Sequence, residues 1–153
     1  MEQTTPERAK GFLDESAVAH LGVVSNGEPY VTPMSFVVEG DRILFRTKPG
    51  KRYEAMLENP TVSIEVSTFD QDSGNWTSVI IKGTARPVSD DETIALTVQL
   101  LLRKYESVLG SPLARGGIQP LASFPHVVEV SIDEITGMTS GGFSAVRTRP
   151  GRL

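Results

Sequence analysis

The sequence predicts a mainly β fold, an antiparallel β-barrel of six strands with three helices at its flank. Short segments of alternating apolar and polar residues recur along the chain, and tight-turn signals separate several of them. Two further stretches carry apolar residues at helical spacing, and a helix-start signal stands near the N-terminus. Short antiparallel strands with brief connections favour a closed or nearly closed barrel.

The first three predicted strands form an antiparallel meander, at residues 17–25, 29–38 and 42–47. Asn26 and Gly27 predict a two-residue hairpin loop, because both residue types tolerate positive φ. Pro33 lies inside the second strand. Because proline cannot donate a ladder hydrogen bond, Pro33 is expected at a sheet edge, at a bulge, or where freed backbone groups bind a ligand.

Three more strands are predicted in the rest of the chain, at residues 61–67, 76–88 and 126–132. Gly83, inside the longest of them, predicts a bulge or a bend. Residues 137–153 are rich in glycine and arginine and are expected to form a C-terminal tail. The whole chain, 1–153, is expected to be one domain with its core in 10–135.

Helices are predicted at three places. Thr5-Pro6 starts the first, because proline at the first helical position loses no hydrogen bond. The second spans 51–58, and the third runs from the capping sequence "SDDE" at 89–92 to about Val108, where Gly110 stops it. Residues 111–125 contain three prolines and two adjacent glycines and predict a loop. The expected buried stripe of the third helix is Ile94, Val98, Leu101, Leu102 and Tyr105.

The composition argues against several kinds of site. The 153-residue chain has a formal net charge of −4 and a pI near 5.2, whereas general nucleic-acid binding requires a basic face. There is no cysteine, so disulfides and thiolate chemistry are excluded. With only His20 and His126 available, no metal site is predicted, and both are expected to be structural. A polar N-terminus and the lack of a long apolar run predict a cytoplasmic protein.

Four cationic side chains gather within seven positions of this acidic chain, at Arg46, Lys48, Lys51 and Arg52. The segment "FRTKPGKRYEAM" predicts a strand that ends at Thr47, a Pro-Gly turn, and a helix that begins near Lys51. A helix N-terminus offers unpaired N–H groups, and hydroxyl and guanidinium donors beside it suit a phosphate monoester. The alternative is a solvated basic turn.

A second candidate site is the segment "WTSV" at 76–79, which contains the only tryptophan. Trp76 with the hydroxyls of Thr77 and Ser78 could form an aromatic wall for a planar ring. The alternative is an apolar cap at the end of the barrel. No pair of carboxylates suggests acid–base catalysis, so no catalytic residue is assigned.

The order of these segments resembles the pyridoxamine 5'-phosphate oxidase-like, FMN-binding split-barrel superfamily, and especially its short, nitroimidazole-resistance-like members. The resemblance covers roughly residues 10–135. It is carried by "PYVTPMSF", by "FRT-x-PG-K" and by "WTSV…G.A", in that order and at this spacing. It implies a split β-barrel, an FMN-binding oxidoreductase, and a homodimer with the cofactor at the subunit interface.

The resemblance also implies roles for nine residues. Backbone around Pro33, Met34 and Ser35 would edge the flavin ring, with Arg46 and Thr47 beside the flavin and its phosphate arm. Lys51 and Arg52 would hold the phosphate. Trp76 and Ser78 would lie in or near the site, reaching it in one reading from the partner subunit.

Two departures from the family pattern keep alternatives open. Longer family members carry further arginines for a substrate phosphate; here the tail offers Arg147, Arg149 and Arg152. Nitroimidazole-resistance relatives often have histidine in place of Arg46. One alternative is therefore a deazaflavin-dependent reductase, since a basic groove suits a phosphate-bearing polyglutamate tail. Another is a non-enzymatic flavin or haem binding module.

Overall fold

The computed structural model describes residues 1–109 and 124–141, and these residues form eight strands and three helices. None of the described helices is long and apolar enough to cross a membrane. In chain order the elements are β1 (Glu2–Gln3), α1 (Pro6–Glu15), β2 (Ala19–Ser25), β3 (Glu28–Met34), β4 (Val37–Glu39), β5 (Arg42–Thr47), α2 (Lys51–Glu58), β6 (Thr61–Phe69), β7 (Trp76–Val88), α3 (Asp91–Leu109) and β8 (His126–Thr139).

The strands form one antiparallel sheet in the order β3-β2-β6-β7-β8-β5-β4, and β1 pairs with β8. The two ends of this order, β3 and β4, are consecutive in the chain and separated only by Ser35 and Phe36. The sheet must therefore curl until its two edges approach each other. No ladder joins β3 to β5, so the barrel is split along this line. The predicted mainly β class is confirmed.

The core fills the inside of the curled sheet. From Val62 to Val66 in β6 and from Thr77 to Ala85 in β7 every second residue is buried, as expected for strands with one face on a core. Helix α1 closes one side of the barrel with Ala9, Phe12 and Leu13. The largest fully buried side chains include Phe36, Phe45, Leu21, Ile64 and Ile81.

Several local predictions are confirmed. Thr5 caps α1, accepting a hydrogen bond from the Arg8 N–H, with Pro6 at the first helical position. Asn26 and Gly27 both have positive φ, 51° and 76°, in the two-residue loop between β2 and β3. Pro33 lies on β3, which is an edge strand of the sheet, where a missing N–H donor is tolerated.

The predicted strand count and two strand limits were wrong. The predicted strand at 29–38 is two strands, because the chain bends at Ser35–Phe36 to pass from one edge of the sheet to the other. The short β1 was not predicted. The predicted strand at 126–132 continues to Thr139, so the expected tail from 137 begins inside β8. The charged Asp133 and Glu134 concealed this continuation in the sequence.

Helix α3, at Asp91–Leu109, lies close to its predicted span, but its buried residues differ from the predicted ones. Leu101 and Tyr105 pack on Val37 and Leu44, whereas Leu102 is 41% exposed. Thr97 is fully buried instead, with its hydroxyl bonded to the Thr93 carbonyl. The predicted loop at 111–125 lies mostly outside the described residues, as do the expected stop at Gly110 and the tail arginines.

Two side chains of α3 bind the bend between β3 and β4. The Tyr105 hydroxyl accepts a hydrogen bond from the Phe36 N–H at 3.0 Å and donates to the Ala17 carbonyl at 2.7 Å. The Lys104 ammonium donates to the Phe36 carbonyl at 3.0 Å. Burial lowers the pKa of Lys104 to about 8, although the charge of Asp14 acts in the opposite direction. These bonds replace the ladder bonds that the bend gives up.

We expect Gly83→Ala to destabilise the fold, while Gly11→Ala serves as its matched control. A Cβ at Gly83 would overlap the Ser131 carbonyl oxygen and a methyl group of Val130, at the register shift where Asp133 is an extra residue of β8. Such overpacking costs on the order of 1–3 kcal/mol. A Cβ at Gly11, in α1, meets no atom within 4 Å. Because alanine favours the helix more than glycine does, Gly11→Ala should raise the free energy of unfolding by ~0.5–1 kcal/mol. Urea unfolding measures both; equal changes would contradict the expectation.

The free energy of unfolding should rise with pH above the lowered pKa of Lys104. The buried amine has a pKa of about 8 in the folded chain, against 10.5 for an ordinary lysine, so the unfolded chain binds more protons between these values. The gain from about pH 7.5 to about pH 9.5 is on the order of 1–2 kcal/mol. Burial raises the pKa of Tyr105, whose opposite effect begins only at higher pH.

Urea unfolding of the wild type, Lys104→Met and the surface control Lys82→Met at several pH values tests this. The wild type and Lys82→Met should share the rise, and Lys104→Met should lack it. An identical profile for all three would show that Lys104 is not the group responsible.

Candidate functional site

An open cleft lies where β5 passes into α2, opposite the edge strand β3. It is bounded by the end of β5, the Pro-Gly turn, the start of α2, the middle of β3 and an aromatic residue before β8. None of the residues that line it is acidic. They are Tyr30, Thr32, Thr47, Lys48, Pro49, Gly50, Lys51, Arg52 and Phe124.

Arg52 connects the two edges of the split barrel across this cleft. Its Nε donates to the Thr47 hydroxyl on β5 at 3.0 Å. Its Nη1 donates to the Thr32 hydroxyl at 3.1 Å and to the Pro33 carbonyl at 3.2 Å, both on β3. Burial lowers the pKa of Arg52 from its ordinary value, with an opposing contribution from Tyr30. The planar guanidinium therefore has a structural role, and its Nη2 has no partner among the described residues.

The two lysines of the cleft lie on aromatic rings. The Lys51 ammonium is 4.3 Å from the centre of the Tyr30 ring, and the Lys48 ammonium is 4.9 Å from that of Phe124. Neither lysine has a carboxylate within 4 Å among the described residues. Positive charge in the cleft is consequently not neutralised by the chain itself in this region.

The N-terminus of α2 opens onto the same cleft without a capping side chain. Gly50 is the N-cap residue, with φ of 157°, and no side chain bonds the first N–H groups of the helix. Helices usually satisfy these donors with Ser, Thr, Asp or Asn. Glycine leaves them available, and the helix dipole adds partial positive charge at this end. The arrangement can bind an anion through backbone and side-chain donors together.

Arg46 is next to Thr47 on β5 but is on the opposite face of the strand. Its side chain is buried, with only 8% of the residue exposed, and its Nε and one terminal nitrogen have no hydrogen-bond partner in the described part of the chain. The guanidinium lies 5.5 Å from the Phe124 ring. Burial lowers the pKa of Arg46. Burying a guanidinium without hydrogen-bond partners costs free energy of folding. The Arg46 side chain therefore indicates a site for a hydrogen-bond acceptor that is not part of the described chain.

The structure brings four of the nine predicted site residues together at the cleft. Thr47, Lys51 and Arg52 line the cleft, and the Pro33 carbonyl bonds Arg52. Ser35 is exposed at the bend and does not line the cleft, and the Met34 side chain belongs to the core. Pro33 stays paired with His20, and the ladder is interrupted two residues later.

Trp76 and Ser78 are not in this cleft within one chain. They begin β7, whereas Val88, at the other end of the same 13-residue strand, is joined through β8 to Arg46. The length of β7 is roughly 40 Å of extended chain. Both residues are half-buried on the outer face of the sheet.

Ser78 belongs to a polar row that the sequence did not predict. Its hydroxyl contacts one carboxylate oxygen of Glu65 at 3.5 Å, and the other oxygen lies 3.1 Å from Nδ1 of His20. Direct cross-strand pairing of His20 with Glu65 explains the contact. The second histidine, His126, stacks on Tyr53 with ring centres 3.9 Å apart. Within the described residues no group of three His, Asp or Glu side chains could hold a metal ion.

Sequence reasoning missed Tyr30, Thr32 and Phe124 as parts of the cleft. Tyr30 and Thr32 precede the "PMS" segment at strand spacing, so the period of two was a signal that could have placed them on one face. Phe124 lies far along the chain, and no local pattern indicated its position beside Lys48.

The comparison with protein families agrees with this fold. The family model described as pyridoxamine 5'-phosphate oxidase matches residues 5–139, which is most of the chain, and the chain belongs to this family. An uncharacterised protein of Rhizobium meliloti is 27% identical over 77 residues. That match spans 50% of this chain and 50% of the relative, so the chain covers about half the length of that curated protein.

Solved structures share the fold over most of their length. A 5-nitroimidazole antibiotic resistance protein from Bacteroides thetaiotaomicron, putative by its description, is 19% identical, with a TM-score of 0.71 over 90% of this chain and 86% of its own. A FAD-binding protein from Mesorhizobium loti is 21% identical, with a TM-score of 0.69 over 89% and 93%. The flavocytochrome Anf3 from Azotobacter vinelandii is 26% identical, with a TM-score of 0.67 over 90% and 68%. These neighbours establish the split-barrel fold.

Proposed function

We propose that this chain is a flavin-dependent oxidoreductase that binds FMN in the cleft between β5, α2 and β3. The observation that carries the proposal is the anion site: an uncapped helix N-terminus and Lys51 beside Thr47, with no acidic residue lining the cleft. Structural neighbours described as FAD-binding proteins or as pyridoxamine 5'-phosphate oxidase support a flavin. The flavin would supply the electron or hydride transfer, and the protein would position it.

The residues present fit a phosphate-bearing flavin. The phosphate would bind the N–H groups of α2 and the Lys51 ammonium. Arg52 already donates three hydrogen bonds within the chain, so it would mainly hold Thr47 in place and offer Nη2. Arg46, buried and without an acceptor, would donate to a polar edge of the ring system or its side chain.

A homodimer would complete the site. Strand register places four exposed apolar side chains on one outer sheet face: Val24 (37% exposed), Val31 (62%), Phe69 (65%) and Ile80 (46%). Exposed apolar faces of this kind mark interaction surfaces. Trp76 and Ser78 lie on the same face. A second copy packed on it would cover the apolar residues and could bring Trp76 to the cleft of its partner.

Lys51→Ala should weaken FMN binding while leaving riboflavin binding unchanged. The variant removes a charge-assisted hydrogen bond of ~1.5–3 kcal/mol, so the Kd for FMN should rise about tenfold or more. Because riboflavin has no phosphate, its Kd should be the same for the variant and the wild type. Lys10→Ala, at a surface ion pair with Asp41, is the matched control. Titration of each ligand into apoprotein gives the two Kd values.

Comparison of Arg52→Ala with Lys51→Ala distinguishes the structural role of Arg52 from the phosphate-binding role of Lys51. It removes the connection between β3 and β5, so it should lower both the melting temperature and the affinity for FMN, whereas Lys51→Ala should lower affinity alone. An FMN affinity untouched by Lys51→Ala, or equal losses for FMN and riboflavin, would show that the cluster is only surface charge.

Mixing two defective variants should restore flavin binding if each site uses two chains. Lys51→Ala removes a phosphate-binding group from the cleft of its own chain, and Trp76→Ala removes the aromatic ring that its chain would contribute to the partner's cleft. In a mixed dimer one site carries both defects and the other carries none. After random exchange about a quarter of the wild-type sites should recover, as two-fold symmetry requires. Flavin absorbance of the gel-filtered mixture measures the recovery.

Val31→Asp, on the same outer face, provides the control for this experiment. It should shift the protein toward monomers in analytical ultracentrifugation and abolish the recovery. Absence of recovery between variants that do exchange subunits would place Trp76 outside the flavin site.

The deazaflavin alternative receives support from the same lysines. Lys48 and Lys51 are exposed and have no carboxylate partner among the described residues, as a polyanionic tail requires. Titration of FMN and a deazaflavin coenzyme against one apoprotein sample distinguishes the two. The haem alternative has less support, because neither His20 nor His126 lines the cleft.

A further inference from the structure

Arg46 has an unused hydrogen-bonding edge on the face of β5 opposite to Thr47. Only 8% of the residue is exposed, and its Nε and Nη2 are buried without a hydrogen-bond partner in the described part of the chain. These two nitrogens lie on the same edge of the planar guanidinium, so their N–H bonds point in parallel. Such an edge is complementary to a group with two oxygens, and a carboxylate matches it in both shape and charge.

The proposed flavin leaves this edge incompletely paired. A single oxygen of FMN can align with one of the two parallel N–H bonds, and the other would stay poorly paired. Such an oxygen can instead accept from Nη1, which is not one of the two buried, unpaired nitrogens of Arg46. The edge formed by Nε and Nη2 therefore indicates a second ligand, one that carries two oxygens.

Lys48 and Phe124 lie beside this edge. The centre of the Phe124 ring is 5.5 Å from the guanidinium carbon of Arg46 and 4.9 Å from the Lys48 ammonium. Neither cation has a carboxylate within 4 Å among the residues that the structure describes. The ring is half-buried, and rotation of an aromatic side chain is a common response to a ligand. Phe124 can thus uncover the edge of Arg46 and still contact the rest of the ligand.

We propose that the substrate of this flavin site is a small carboxylate with a planar body, whose two oxygens accept the parallel hydrogen bonds of Nε and Nη2 of Arg46. The inference rests on the proposed function, because only a bound flavin makes this ligand a substrate. Lys48 supplies the second positive charge, and the planar body lies on the Phe124 ring. The phosphate site at Thr47 is on the opposite face of β5, so the carboxylate and the phosphate can bind together.

Calorimetric titration with benzoate and benzamide tests the proposal, because the two share a ring and nearly a shape. Benzamide has one oxygen and no charge. The wild type, with and without saturating FMN, should bind benzoate at least tenfold more tightly than benzamide. Arg46→Met should remove this preference, and Arg46→Lys should remove most of it because an ammonium lacks the parallel edge. Lys82→Met, at an exposed residue of the outer sheet face, is the control and should keep the preference.

The stability of Arg46→Met distinguishes a binding role from a structural one. Because the guanidinium is buried without an acceptor, its replacement by a side chain of similar length should leave the melting temperature of the ligand-free protein unchanged or raise it. A lower melting temperature would show that Arg46 supports the fold and would contradict the proposal. Lys48→Ala, at an exposed position, should weaken benzoate binding by a smaller factor than Arg46→Met does.

The possible results separate this inference from the proposed function. Equal Kd values for benzoate and benzamide, or a benzoate Kd untouched by Arg46→Met, overturn this inference and leave the proposed function intact. Displacement of benzoate by FMN does the same, because it would place the carboxylate in the phosphate cleft. Failure of FMN to bind the wild type overturns the proposed function and, with it, the assignment of the carboxylate as a substrate.

Discussion

The hydrogen bonds of Arg52 hold together the place where the sheet fails to close. Backbone ladders join every neighbouring pair of strands from β3 round to β4, but no ladder joins β3 to β5. One guanidinium bridges that gap, with Nε on Thr47 and Nη1 on Thr32 and the Pro33 carbonyl. Its planar fork can satisfy acceptors on two strands at once, which a lysine ammonium does less well. The cleft exists because this connection spans the gap without filling it.

The opposite edge of the same gap is held by α3. Where the chain leaves β3 for β4, the backbone at Phe36 loses its ladder partners and gains Tyr105 and Lys104 instead. Burying an ammonium there costs stability, which its lowered pKa reflects. The bend thus keeps the N–H and the carbonyl of Phe36 hydrogen-bonded, and Ser35 beside it is exposed.

The cleft is positively charged because the described residues supply no carboxylate to its cations. Arg42 and Arg86 on the barrel surface share Glu129, whereas Lys48, Lys51, Arg46 and Arg52 have no carboxylate partner among the described residues. Gly50 likewise provides no capping side chain for α2. The buried guanidinium of Arg46 without an acceptor costs stability, and the first N–H groups of α2 are left without a side-chain cap. Both features favour an anion in this region.

Local sequence determined the elements that depend on neighbouring residues. The helix start at Pro6, the hairpin at Asn26-Gly27 and the span of α2 could all be predicted, because capping, positive φ and helical spacing act over a few residues. The family and the basic segment from Arg46 to Arg52 were also recognisable from residue order.

Tertiary structure decided which of these groups meet. Only the curled sheet brings Pro33 to Arg52 and Phe124 to Lys48, and only strand register places Trp76 at the far end of β7. The sequence could not show that Arg52 is engaged within the chain, because its partners are 5, 19 and 20 residues away and on two different strands. Contacts across a barrel depend on register and curvature, which no local pattern encodes.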